Sequence, residues 1–184
     1  MISPGQIMSG RDSERLEFMK SILDKAREYE AVNGRKIPSE KRPAFHISPY
    51  VGWMNDPNGF SWYKGQYHLF YQYNPYKTQW DSMHWGHVVS KDLLHWEYLP
   101  AALAPDEEYD KIGCFSGSAI EHDGKLYLVY TGTTNYGDGF IQSQCLAYSE
   151  DGVHFEKYEN NPIIPHPPEG YDESNFRDPK VWKH

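Results

Sequence analysis

Asp56 lies in Gly52-Trp53-Met54-Asn55-Asp56-Pro57-Asn58-Gly59-Phe60, a carboxylate set among turn-forming residues and flanked by aromatic ones. Pro57 pushes Asp56 out of the helical region, and Asn-Asp-Pro and Asn-Gly are turn dipeptides. An acid held on a tight turn beside ring surfaces suits sugar chemistry, where a carboxylate attacks carbon and the rings stack. Taken alone, the same residues also read as an Asx-turn in an ordinary hairpin. A second acid, Asp178, occurs in Arg177-Asp178-Pro179-Lys180-Val181-Trp182, echoing the first motif at a spacing of 178 − 56 = 122.

An internal repeat relates the two. Gly65-Gln66-Tyr67-His68-Leu69-Phe70-Tyr71 matches Gly124-Lys125-Leu126-Tyr127-Leu128-Val129-Tyr130 at an offset of 124 − 65 = 59. Ser90-Lys91-Asp92-Leu93-Leu94-His95-Trp96-Glu97 matches Ser149-Glu150-Asp151-Gly152-Val153-His154-Phe155-Glu156 at 149 − 90 = 59. Short β-rich runs separated by turn residues, repeated at this length, predict the blades of a β-propeller. The Ser and Asp of the second block are predicted to close a turn through backbone hydrogen bonds rather than to do chemistry. Equivalent strand starts of successive blades converge on one end of the channel. Asp56, Phe115 with Ser116, and Asp178 are therefore predicted to face a common pocket.

The rest of the chain fits around this region. Residues 12–33 are predicted to form a helix, with Leu16, Met19, Leu23 and Ala26 on one stripe and Ile22 and Tyr29 beside it. Asp12 or Ser13 would cap its start, and Asn33-Gly34 would supply a left-handed stop. Lys36 to Pro43 reads as a linker, so the expected division is 1–43 for helix and linker and 44–184 for the propeller part.

Aromatic residues make up 16% of the chain, including 15 Tyr and 6 Trp, which favours strands and stacking surfaces. The formal net charge of −8 and the absence of a basic run argue against a nucleic-acid partner. No apolar run approaches the ~18 residues of a membrane span. The first thirty residues lack a signal-peptide core, so the expected location is cytoplasmic. Cys114 and Cys145 then read as reduced thiols. No metal or cofactor is expected, because His84-Trp85-Gly86-His87, the tightest histidine pair, has no Cys partner and no intervening Glu.

Five segments occur in one order: Trp53-Met54-Asn55-Asp56-Pro57-Asn58-Gly59, Phe70-Tyr71-Gln72-Tyr73-Asn74-Pro75, Met83-His84-Trp85-Gly86-His87, Phe115-Ser116-Gly117-Ser118-Ala119 and Arg177-Asp178-Pro179-Lys180. Together they closely resemble the invertase-type β-fructofuranosidases of glycoside hydrolase family 32, from about Arg42 to the chain end. The resemblance implies an all-β, five-bladed β-propeller that removes terminal β-fructofuranosyl units from sucrose or sucrose 6-phosphate with retention of configuration. This chain would cover the first two blades and the first strand of a third, preceded by the helix. On the family pattern Asp56 is the nucleophile and Asp178 the transition-state stabiliser, with Arg177 beside it. Asn55, Gln72, Trp80, Phe115 and Ser116 match substrate-pocket positions, although core packing is the alternative for Trp80 and Phe115.

The family's general acid, a Glu in a Glu-Cys motif, has no counterpart here: Cys114 follows Gly113 and Cys145 follows Gln144. Glu107, Glu108, Glu121 and Glu173 give no reason to reach a leaving oxygen. The expectation is an inactive N-terminal portion whose unpaired strand edges allow self-association. One other reading stays open, a carbohydrate-binding or assembly module without catalysis; against a third, an inverting five-bladed hydrolase of arabinans, stands the Trp53-Met54-Asn55-Asp56-Pro57-Asn58-Gly59 motif.

Overall fold

The structure, a computed structural model, describes residues 20–137 and 139–184. Two four-stranded antiparallel meanders follow each other along the chain. The first contains β1 (Trp53–Tyr63), β2 (Gln66–Asn74), β3 (His84–Ser90) and β4 (Trp96–Leu103) in that order. The second contains β5 (Gly113–His122), β6 (Lys125–Tyr136), β7 (Gly139–Ser149) and β8 (Glu156–Lys157).

The 59-residue offset survives in fine geometry. Both first hairpins turn through two residues of positive φ, Lys64-Gly65 in one sheet and Asp123-Gly124 in the other, as a two-residue turn matched to strand twist requires. The Ser-x-Asp-x-x-His segments close identical turns. Ser90 Oγ accepts from Leu93 N–H and Asp92 Oδ1 from His95 N–H, each at 2.8 Å. Ser149 Oγ and Asp151 Oδ1 do the same for Gly152 and His154, also at 2.8 Å. The structural role predicted for these residues is the one they have.

The sheets pack face to face as neighbouring blades. Tyr63, Phe70 and Trp85 of the first bury against Ala119, Leu126, Leu128 and Phe155 of the second. Phe70 meets Phe155 edge-on at 5.5 Å, and losing its ring would cost about 3–5 kcal/mol. The Tyr63 hydroxyl crosses the seam to the carbonyls of Gly124 and Glu150 at 2.7 and 2.8 Å. His84 and His87, three apart on β3, fall on opposite faces. His84 Nδ1 bonds the Ser82 carbonyl at 2.7 Å, and His87 Nε2 pairs with His68 Nδ1 at 3.0 Å.

The N-terminal helix, α1, spans Ile22–Asn33. Asp12, Ser13, Leu16 and Met19 lie outside the described residues. The single predicted helix over 12–33 does not hold across Ser21, which is itself an N-cap: its hydroxyl accepts from Asp24 N–H at 3.0 Å. Gly34 is not a left-handed stop either. Its φ is −62° and the chain continues into a 3-10 turn over Gly34–Lys36. Glycine is needed there because a Cβ would come within 2.4 Å of the Tyr50 ring.

The helix covers the outer edge of the first blade. Arg27 Nε donates to the Ala101 carbonyl at 2.9 Å, and Glu30 Oε1 accepts the Ala101 N–H at 2.8 Å. Two side chains one turn apart thus satisfy both backbone groups of an edge residue on β4, which blunts an otherwise open edge. The predicted linker is also held, since Arg42 Nη2 reaches the Tyr50 carbonyl at 2.7 Å between the rings of Tyr50 and Tyr98.

Residues 177–184 run beside β5 but form no ladder, so the predicted first strand of a third blade is present in place and not as a strand. Side chains make the junction: Ser118 Oγ donates to the Pro179 carbonyl at 2.8 Å and accepts Val181 N–H at 2.9 Å. The physical reason is that inner strands pair within their own blade, as β1 does with β2 and β5 with β6. The β1–β5 junction is likewise made by a side chain, Asn58 Oδ1 accepting Gly117 N–H at 3.3 Å.

Candidate active site

A bulge in each inner strand builds the site. In β1 the register passes from Met54 opposite Tyr73 to Pro57 opposite Tyr71, leaving Asn55 and Asp56 together against Gln72. In β5 it passes from Phe115 opposite Thr131 to Gly117 opposite Tyr130, leaving Ser116 extra. Bulges re-aim side chains at strand ends, and local sequence enforces both. Pro57 cannot donate to a ladder, and a Cβ on Gly117 would lie 2.1 Å from the Val129 carbonyl oxygen. The two bulged residues meet: Ser116 Oγ donates to Asp56 Oδ2 at 2.9 Å.

Asp178 completes the group. Its φ of +62° is left-handed, a conformation that Asp tolerates better than most residues. Asp56 and Asp178 line one cavity of about 570 Å³, together with Asn58, Phe60, Ser116 and Lys180. Withdrawal from water pushes the Asp178 carboxyl above its ordinary value. The Arg177 guanidinium, 3.8 Å away, pulls it down, and the Asp56 charge pushes it up again. Arg177 is anchored by bonds from Nη1 to the Ser174 carbonyl and Asn175 Oδ1 at 3.2 and 3.0 Å.

The other predicted residues, Asn55, Gln72, Trp80 and Phe115, do not line this cavity. Asn55 is exposed beside Asp56 in the bulge. Gln72 is buried, its amide donating to the Cys114 carbonyl at 2.8 Å, so it supports the backbone two residues before Ser116. Trp80 is half exposed and meets Phe115 edge-on at 6.3 Å; Phe115 in turn meets Phe140 at 6.1 Å. These three rings form an aromatic surface next to Ser116. Among the described residues, no third carboxyl group lines the cavity. Glu108, Glu121 and Glu173 are engaged with Lys111, Lys183 and His166.

Sequence reasoning missed Asn58 and Lys180 as cavity residues. Asn58 carried a signal in the repeat, since 58 + 59 = 117 makes the N–H it binds that of its own counterpart. Lys180 stands two residues after Asp178, inside the motif that marked the acid, and its type alone gave no sign of the cavity.

Paired blades that direct a carboxylate, a hydroxyl and a second carboxylate to one cavity make this a fragment of a β-propeller with two acids at one end of its blades. Residues 46–184 match the Glycosyl hydrolases family 32 N-terminal domain. The sucrose-6-phosphate hydrolase of Zymomonas mobilis subsp. mobilis is 48% identical over 157 residues, covering 81% of this chain and 29% of that protein. That of Escherichia coli is 51% identical over 146 residues, covering 77% and 30%. Among solved structures, the GH32 β-fructofuranosidase of Bombyx mori superposes with a TM-score of 0.77 at 46% identity, covering 96% of this chain and 35% of that one. A mutant of the silkworm enzyme in complex with sucrose gives 0.78 at 49% identity, covering 88% and 34%.

The chain belongs to glycosyl hydrolase family 32. It spans about a third of the length of these relatives.

Proposed function

We propose that the protein is part of a retaining β-fructofuranosidase acting on sucrose or sucrose 6-phosphate, with Asp56 as nucleophile and Asp178 as transition-state stabiliser. The observation that carries this reading is the shared cavity, which Asp56 and Asp178 both line and in which Asp56 takes a hydrogen bond from Ser116 of the next blade. The substrate class is suggested by the relatives, named as sucrose-6-phosphate hydrolases and a β-fructofuranosidase.

An Asp56 oxygen attacks the anomeric carbon of the fructosyl unit while the glycosidic C–O bond breaks, and a fructosyl ester forms on the carboxylate. The departing oxygen takes a proton from a carboxylic acid about 5–5.5 Å from the nucleophile. Water then attacks the same carbon, its proton passes to that second group, and Asp56 is regenerated. Asp178, beside the Arg177 guanidinium, accepts hydrogen bonds from fructose hydroxyls and balances the oxocarbenium-like charge. Asn55 and Ser116 bind hydroxyls, Gln72 holds the backbone at Cys114 before Ser116, and Trp80 and Phe115 offer rings for the sugar to stack on.

The second carboxylic acid is the missing part. No candidate lines the cavity among the described residues, which supports the view that the 184-residue chain alone is inactive. Loss of a general acid typically costs about 10²–10⁴-fold. The purified chain is expected to bind fructose saturably by calorimetry, to lose that binding in Asp178→Ala, and to hydrolyse sucrose at least that far below an intact enzyme. Full turnover that survives Asp56→Ala would sink the proposal.

A further inference from the structure

The inner strand of the second blade, and the segment 176–178 that follows that blade, are each held by a pair of buried side chains from the blade before. In the first blade Gln72 on β2 and Trp85 on β3 face each other in register. Gln72 Nε2 donates to the Cys114 carbonyl at 2.8 Å and Trp85 Nε1 to the Phe115 carbonyl at 3.2 Å. Both contacts grip the backbone next to the Ser116 bulge. Adding the repeat offset gives 72 + 59 = 131 and 85 + 59 = 144, which are Thr131 on β6 and Gln144 on β7, again in register.

Thr131 is fully buried and Gln144 is 4% exposed; neither lines the cavity. Gln144 Nε2 donates to the Phe176 carbonyl at 2.8 Å. Thr131 Oγ1 accepts the Asp178 N–H at 3.1 Å and donates to Gln144 Oε1 at 3.2 Å. The donor directions are determined throughout. The Thr131 hydroxyl has one proton, and a flipped Gln144 amide would set oxygen against the Phe176 carbonyl. The pair therefore fixes the backbone on both sides of Arg177.

That hold matters because Asp178 is left-handed, a state costing on the order of 1 kcal/mol or more in a non-glycine residue unless its surroundings maintain it. A backbone released to extended geometry would swing the carboxylate off the cavity side. We propose that Thr131 and Gln144 are positioning residues, a buried hydroxyl–amide pair that holds residues 176–178 so that the Asp178 carboxylate faces Asp56. The catalytic meaning rests on the reading of these two acids as the reacting pair; the geometric claim does not.

The test compares Thr131→Val, which keeps shape and removes the hydroxyl, with Thr131→Ser, which restores it. Carboxyl-carbon NMR titration of Asp178 is run in each, with and without Asp56→Asn, alongside amide exchange at Asp178 and thermal unfolding. In the wild type and Thr131→Ser, Asp56→Asn should lower the Asp178 titration point. In Thr131→Val that response should vanish, and the Asp178 amide should exchange about tenfold faster, as for a lost hydrogen bond. A Thr131→Val protein that loses stability but keeps the Asp56-dependent titration would overturn the inference, since the side chain would then be packing only. If Thr131→Val does not fold, Gln144→Met, which removes both the donor to Phe176 and the acceptor of the Thr131 hydroxyl, gives the same readout. Absence of fructose binding in a wild type with the expected titration would count against the fructosidase reading and still support the positioning role.

Discussion

Replacing Glu30 with glutamine is expected to stabilise the protein above neutrality and to change little near pH 4.5. Glu30 is 4% exposed on α1, against β4, with its carboxylate accepting the Ala101 N–H at 2.8 Å. Burial pushes its carboxyl from 4.5 up to about 7, despite the bond from Ala101 and the nearby Arg27, both of which favour the charge. The folded state thus binds a proton more tightly than the unfolded one between pH 4.5 and 7. For this group, stability is greatest at acid pH and falls as pH rises through that window. A shift of about 2.5 units at 1.36 kcal/mol per unit gives about 3 kcal/mol at most. Glutamine keeps an oxygen for Ala101 and carries no charge. The difference in unfolding free energy, variant minus wild type, should therefore rise by up to this amount from pH 4.5 to 8. Urea unfolding at half-unit pH steps measures it. A difference that stays flat across pH 4.5–8 would refute the burial argument and with it the docking of the helix on Ala101.

Other perturbations test other parts of the fold. Leu93 is left-handed, φ +67°, at the position where the second blade has Gly152, so Leu93→Gly should stabilise by about 1 kcal/mol, read as a higher unfolding temperature. His84 is buried and its pKa is lowered to about 4, while burial and the neighbouring His68 hold that of His87 well below its ordinary value. Both contribute stability that is present above pH 6.5 and lost as pH falls toward 4, so His84→Gln should flatten the acid limb of a stability profile; an unchanged limb would contradict this. Ser116→Ala removes the donor to Asp56 and is expected to weaken fructose binding about tenfold with little change in unfolding temperature.

The repeat made most of this architecture legible, because turns and strand pairs recur at a constant offset whatever their tertiary surroundings. It brought Asp56, Ser116 and Asp178 to one end of the blades. What it could not convey were features set by long-range contacts. The cap at Ser21 competes locally with a helix pattern that runs on through it, and Gly34 is small because of a ring sixteen residues away. The echo of the first motif predicts a strand start at Arg177-Asp178-Pro179, yet a strand needs a partner in its own blade. The clamp from Thr131 and Gln144 was hidden because the blades use different residue types, Gln and Trp against Thr and Gln, for one task.

On the proposed function, Asp56 is a nucleophile whose acid partner is not among the described residues of this cavity. β-D-Fructofuranosyl fluoride tests it directly, because fluoride leaves without protonation and so bypasses the general acid. Intact-protein mass spectrometry after mixing should find one fructosyl unit added and fluoride released in equal amount, with the adduct mapped to Asp56. It should persist, since no base assists its hydrolysis, and be absent from Asp56→Ala. Fluoride release without an adduct, or an adduct on another residue, would contradict the account.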